Sequence, residues 1–179
     1  TLTKRRSIKK EYQAAWLLKA ITLIDLTTLS GDDTYGKVDR LCQKAIKPIS
    51  LDVSNALNLK NSSINVAAVC VYHHLIAEAK NILPKSIPVA AVSTGFPAGL
   101  SSLKTRKLEI KNSISNGADE IDIVINRGLV LQNDWKKLYM EVRAFKQIAK
   151  NKHIKAILGV GDLGTMRNIA KASLVCMMA

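Results

Sequence analysis

Short apolar runs and longer stretches of helical periodicity follow one another along this chain. Lys9–Ile21 places Ala14, Leu17, Leu18 and Ile21 on one helical stripe, which predicts a helix. "LIDLT" (Leu23–Thr27) predicts a short strand, and "SGDDT" supplies turn and cap residues for a helix over Tyr35–Lys47. A polar connection, Pro48–Asn65, leads to a second strand, "VAAVCVY" (Val66–Tyr72), and to a helix in "HLIAEAKNIL". "VAAVST" (Val89–Thr94) reads as the third strand, and "GFPAG" breaks the chain ahead of a helix over Leu103–Asn116. "EIDIVIN" (Glu120–Asn126) is the fourth strand, with a helix over Trp135–Lys150 behind it. "IKAILGV" (Ile154–Val160) and a helix over Thr165–Cys176 complete a fifth unit.

Strict alternation of strand and helix predicts an α/β fold with a parallel sheet covered by helices. No linker or shift of composition divides the chain, so 1–179 reads as one domain. Residues 1–22 form a basic N-terminal segment and helix, and 23–179 the five βα units. The strands also carry a sidedness. In "EIDIVIN", Glu120, Asp122, Val124 and Asn126 share a face opposite Ile121, Ile123 and Ile125. Leu23, Asp25 and Thr27 oppose Ile24 and Leu26, and His153, Lys155 and Ile157 oppose Ile154, Ala156, Leu158 and Val160. An open doubly wound sheet buries both faces under helices, where mid-strand charges are costly. A closed barrel gives them a lumen in which to pair. The pattern therefore favours a (β/α) barrel, of which five of eight units are present.

Gly159, Gly161 and Gly164 carry the G-x-G-x-x-G spacing of a dinucleotide-binding turn. That reading also demands an acidic residue some 20 positions on. The chain after Gly164 contains neither Asp nor Glu. The motif also falls in the fifth unit rather than the first. The glycines read as turn chemistry, and no cofactor is implied.

Composition narrows the function classes. With 47% apolar residues the chain can build a core. No apolar run reaches the roughly 18 residues of a membrane helix, and "TLTKRRSIKKEYQ" lacks the apolar centre of a signal peptide. A cytoplasmic protein without a membrane partner is expected. Cys42, Cys70 and Cys176 are odd in number and far apart, which fits reduced thiols rather than disulfides or zinc. Cys70 inside "VAAVCVY" reads most simply as a small buried apolar residue. Adjacent His73 and His74, far from His153, make no metal set. The net charge of +13 favours anionic partners, phosphorylated metabolites among them. Lys4, Arg5, Arg6, Lys9 and Lys10 crowd the N-terminus, yet no basic stretch is interleaved with stacking aromatics. A solvated basic surface is expected, not a nucleic-acid groove.

Several colinear stretches resemble deoxyribose-phosphate aldolase of the animal type. They are "KKEYQAAWLLKAITLIDLTTLSGDDT", "VAAVCVY", "GFPAGLSSLKTRKLEI", "GADEIDIVINRGLVL" and "GDLGTMRNIAKASLVCMMA". The resemblance implies a TIM (β/α)8 barrel and a class I, metal-free aldolase. Such an enzyme cleaves 2-deoxyribose 5-phosphate reversibly into acetaldehyde and glyceraldehyde 3-phosphate. In that family a strand-six lysine forms the Schiff base, and a strand-seven lysine lowers its pKa, as a neighbouring cation should. The family's proton-shuttling aspartate corresponds to Asp122, and Asp25 belongs to the same polar cluster. Thr27 and Cys70 fall where the family binds substrate. Lys155, on strand five, either lines the lumen or snorkels to the bottom rim.

Departures accompany the match. The chain ends at "KASLVCMMA", ahead of the family's strand six, so both lysines are expected beyond Ala179, and no lysine here matches the Schiff-base motif. His73 stands where the family's "CVYP" has proline, and Val160–Gly161–Asp162 where it reads "TGE". The primary expectation is an incomplete piece of a working aldolase. The alternative is a truncated, inactive homologue that binds a partner, which would have to cover exposed strand edges. Alone, the chain is expected to be loosely packed and without retro-aldol turnover.

Overall fold

The computed structural model describes residues 9–59 and 64–179. The basic residues Lys4, Arg5 and Arg6, and part of the Pro48–Asn65 connection, lie outside them. Five strands, β1 (Asp25–Thr27), β2 (Ala68–Tyr72), β3 (Val89–Ser93), β4 (Glu120–Val124) and β5 (His153–Ile157), form one sheet. Their order is β1-β2-β3-β4-β5, and every neighbouring pair is parallel. A doubly wound sheet reverses direction at a switch point. Here each crossover advances one strand the same way, as a barrel does.

The helices are α1 (Lys10–Ile21), α2 (Tyr35–Ile46), α3 (Leu51–Ala56), α4 (Ile76–Ile82), α5 (Leu103–Ser115), α6 (Arg127–Leu131), α7 (Trp135–Ala149) and α8 (Met166–Met178). Several starts follow from capping side chains. Thr34, Ser102, Asp134 and Thr165 each accept from an amide three residues on, at Lys37, Thr105, Lys137 and Asn168. Burial follows the helical stripe. On α7, Leu138, Val142, Phe145 and Ala149 face inward, and on α2 so do Val38, Cys42 and Ala45. These residues pack on Val69, Val71, Val89, Ala91, Ile121 and Ile123, the helix-facing side of the sheet. α1 buries none of its residues and leaves Tyr12, Trp16 and Leu17 exposed. Among the described residues no helix is long and apolar enough to cross a membrane.

The elements differ from the sequence expectation at their ends. The Pro48–Asn65 connection contains α3, because the Ser50 hydroxyl accepts from Val53 N and starts a turn of helix. Strand four stops at Val124, since the Asn126 side chain accepts from Gly128 N at 3.0 Å and turns the chain into α6. Strand five stops at Ile157, and Gly159, at φ 62°, leads into a 3₁₀ turn over Val160–Asp162. A second 3₁₀ turn, His73–Leu75, precedes α4.

One contact fixes the curvature. Lys155 on β5 hydrogen-bonds the Asp25 carboxylate on β1, at the opposite edge of the sheet. In a flat sheet those edges would stand about 19 Å apart, four spacings of ~4.8 Å, beyond the reach of any lysine. The sheet is therefore curled into an arc whose concave side holds the polar faces read from the sequence.

Candidate active site

The concave side is built by strand alternation. Residues two apart on β2 and β3 put Cys70, Ala90 and Val92 into a small apolar layer, with Leu29, Tyr72, Phe96 and Ile157 against it. β4 and β5 add Asp122 and Lys155, which are register partners, and β1 adds Asp25. Asp25, Asp122 and Lys155, predicted separately from the sequence, thus meet.

Lys155 sits among three carboxylates. Its ammonium bonds Asp25 and lies 3.0 Å from Glu120 Oε2 and 3.2 Å from Asp122 Oδ1. Lys155 faces the lumen and does not snorkel to the rim, because those carboxylates take up its charge. Burial works against the charged ammonium, but the bond to Asp25 and the charges of Asp122 and Glu120 outweigh it and raise the lysine pKa. A Schiff-base nucleophile must offer a free amine at neutral pH. Lys155 is held in the opposite state and suits electrostatic work.

Asp122 is the most enclosed member, its side chain 13% exposed. Burial raises its pKa, partly offset by Lys155. Cys70 Sγ donates to Asp122 Oδ2 at 3.5 Å. Among the described residues Oδ1 has the lysine as ion-pair neighbour but accepts no hydrogen bond, which leaves a buried lone pair for a substrate or water proton. A carboxyl with raised pKa and a free acceptor is equipped for proton transfer. Burial and the Asp122 charge push the Cys70 thiol to about 12, so it is a neutral donor and not a nucleophile. Thr27 stands apart from this cluster. It is exposed at the end of β1, and its hydroxyl donates to the Asp25 carbonyl at 2.8 Å.

Two features escaped the sequence reading. Glu120 lay on the polar face but carried no assigned role, and it meets Lys155 because it precedes Asp122, the register partner of that lysine, by two residues on the same face of β4. Arg106 is 2% exposed on α5. It donates to the carbonyls of Thr94 at 3.0 Å and Val124 at 2.6 Å, and pairs with Glu141 at 2.7 Å. It thereby ties the ends of β3 and β4 beside Asp122. The signal was present: Arg106 falls on the same helical stripe as buried Ile110 and Ser113.

The larger clefts lie elsewhere. One of about 710 Å³ runs between the ends of α5 and α7, lined by Ile114, Ile148 and Lys150 among others. Another of about 430 Å³ opens on the helix-facing side of β5 beside Cys176. Neither is lined by Asp122 or Lys155. Among the described residues no group of three His, Cys, Asp or Glu is placed to hold a metal.

Known proteins resemble this chain in sequence and in fold. A mouse deoxyribose-phosphate aldolase is 56% identical over 98% of this chain, and the human protein of that name is 53% identical over the same share. In both cases the match spans 56% of the relative's own length. The crystal structure of a provisionally assigned deoxyribose-phosphate aldolase from Coccidioides immitis superimposes with a TM-score of 0.74 at 25% identity. That match covers 90% of this chain and 57% of the other. The curled sheet is thus part of a TIM barrel, with β1 and β5 as its present edges. Residues 19–173 match the DeoC/LacD family of aldolases, and with the carboxylate–lysine cluster on the concave side of that barrel, the chain belongs to this family.

Proposed function

We propose that this chain is part of a deoxyribose-phosphate aldolase, cleaving 2-deoxyribose 5-phosphate reversibly to acetaldehyde and glyceraldehyde 3-phosphate. The observation that carries the reading is Asp122: an enclosed carboxyl of raised pKa, with one acceptor unfilled, inside a parallel barrel arc. In the reaction it accepts and returns the proton that moves at the donor carbon. Lys155 and Asp25 hold it in place and set its charge. Cys70 orients the second carboxylate oxygen. The family resemblance puts the Schiff-base lysine on a later strand, beyond Ala179, and in keeping with it the one lysine in the cluster is kept protonated by three carboxylates. The net charge of +13 suits a phosphorylated sugar partner, and the chemistry runs in the cytoplasm without a cofactor, nucleic acid or membrane.

The test is borohydride reduction of the full-length protein in the presence of 2-deoxyribose 5-phosphate, followed by peptide mapping. The expected result is a single adduct on a peptide C-terminal to Ala179. An adduct on Lys155 would overturn the assignment of roles. No adduct and no turnover in the full-length protein would favour the inactive homologue.

A further inference from the structure

Arg127 opens α6, directly after β4, and its side chain reaches away from its own turn. Nη1 and Nη2 donate to the Pro97 carbonyl at 3.3 and 3.4 Å, in the turn that follows β3. Nε meets Asp162 Oδ2 at 2.9 Å, in the turn that follows β5. Between these two partners the side chain crosses Gly159. A Cβ built on Gly159 would lie 2.9 Å from Arg127 Cδ and 3.0 Å from Nη1, so the arginine would have to move aside from its present path. Gly159 also holds φ at 62°, in the left-handed region.

We infer that Arg127 is a positioning residue that clasps the turns after β3, β4 and β5 at the rim of the site, and that Gly159 is glycine so that the arginine can cross. The inference rests on the aldolase reading for its catalytic consequence, and on geometry alone for the clasp. The β4–β5 ladder ends at Val124 and Ile157, with a last long bond from Ile125 N to Ile157 O at 3.4 Å. Beyond it the two chains enter separate turns, and the Arg127 fork is a link that ties them. Asp122 and Lys155 sit two residues before those ends. A splay of the turns therefore moves the proton-transfer carboxyl against its lysine. A guanidinium suits the task because its planar fork serves a carbonyl and a carboxylate at once, whereas a lysine ammonium is a single point.

This assigns the glycine motif of the sequence analysis. Gly159 admits a side chain rather than a pyrophosphate. Gly161 has open space where a Cβ would go and no left-handed φ, so the motif's central glycine is replaceable. A dinucleotide-binding turn would need that glycine for close approach of its ligand.

The experiment is hydrogen exchange by mass spectrometry on the full-length protein, with steady-state kinetics on 2-deoxyribose 5-phosphate, for Arg127→Met, Arg127→Lys, Gly159→Ala and Gly161→Ala. Arg127→Met and Gly159→Ala are expected to exchange about tenfold faster across residues 159–165 and 95–99, with core strands unchanged. Both should lose roughly tenfold in kcat with KM within about threefold, the signature of misplaced groups rather than lost binding. Arg127→Lys should fall between them and wild type, and Gly161→Ala should match wild type in both readouts. Unchanged exchange in Arg127→Met overturns the clasp, and so does a Gly161→Ala variant as impaired as Gly159→Ala. Should Arg127→Met fail to fold, Asp162→Asn removes only the charged arm, and unchanged exchange at 159–165 there overturns the clasp equally. A wild-type protein without aldol cleavage counts against the proposed function and leaves the exchange result to decide the clasp.

Discussion

Replacing Lys155 with methionine keeps the length and apolar stem of the side chain but leaves Asp25, Glu120 and Asp122 facing one another without their shared cation. The lysine side chain is 31% exposed, against 32% for Asp25, 22% for Glu120 and 13% for Asp122. The pairs thus sit between a surface ion pair, worth up to about 1 kcal/mol, and a fully buried one, whose disruption costs roughly 3–5 kcal/mol. Water screens part of the loss, so about 2–3 kcal/mol at pH 7 is expected. The sign of the pH dependence follows from Asp122. Its folded pKa already lies above the unfolded value of 3.8, and so it weakens the fold as pH rises through the window above 3.8. Without Lys155 that pKa rises further and the window widens. The deficit of the variant should be largest near pH 7 and fall by at least half near pH 4, as Asp122 takes up its proton. Urea unfolding of the full-length protein at several pH values measures it, with the m-value expected to stay constant. A deficit independent of pH, or below about 0.5 kcal/mol at pH 7, would refute the reasoning.

Other consequences are equally direct. Arg106→Leu strands Glu141, whose Oε1 already lacks a partner, and frees two strand-end carbonyls; a loss of roughly 3–5 kcal/mol in urea unfolding is expected. Phe145→Ala removes a fully buried ring that also carries the Arg106 guanidinium 4.8 Å from its centre, and should cost about 3–5 kcal/mol by the same assay. Burial holds the thiols of Cys42 and Cys176 at about 11 and that of Cys70 at about 12. Iodoacetamide at pH 7.5 should therefore leave the native mass unchanged and add to all three cysteines once urea is present, and labelling of the native protein would show a more open core. The 1–179 chain alone exposes α1 and both edge strands, and its thermal unfolding should be broad; a sharp cooperative transition of the monomer would contradict this.

What could be read from the sequence depended on whether a signal was periodic. The strands alternate with period two, so the polar faces of β1, β4 and β5 were visible in the sequence, and Asp25, Asp122 and Lys155 lie on them. The barrel itself was argued from the cost of those charges, and the β1-to-β5 contact bears that argument out. What stayed hidden was tertiary. Nothing local says that Lys155 turns inward rather than to the rim, because that choice depends on a carboxylate 130 residues away. α3 and α6 were missed because each is shorter than two turns, too brief for a stripe to show, and only Ser50 and Asn126 announce them.

The glycines make the same point more sharply. A missing Cβ serves a phosphate, a tight turn or a crossing side chain alike, so spacing alone cannot choose among them. At Gly164 the requirement is the backbone, with φ at 75° and open space around it. At Gly161 neither backbone nor space requires glycine. At Gly159 the requirement is double, a left-handed φ of 62° and the passage of Arg127, 32 positions earlier in the chain. Three glycines that read as one motif therefore share no single cause, and one of them answers to none, so a substitution at each should fail, or pass, for its own reason.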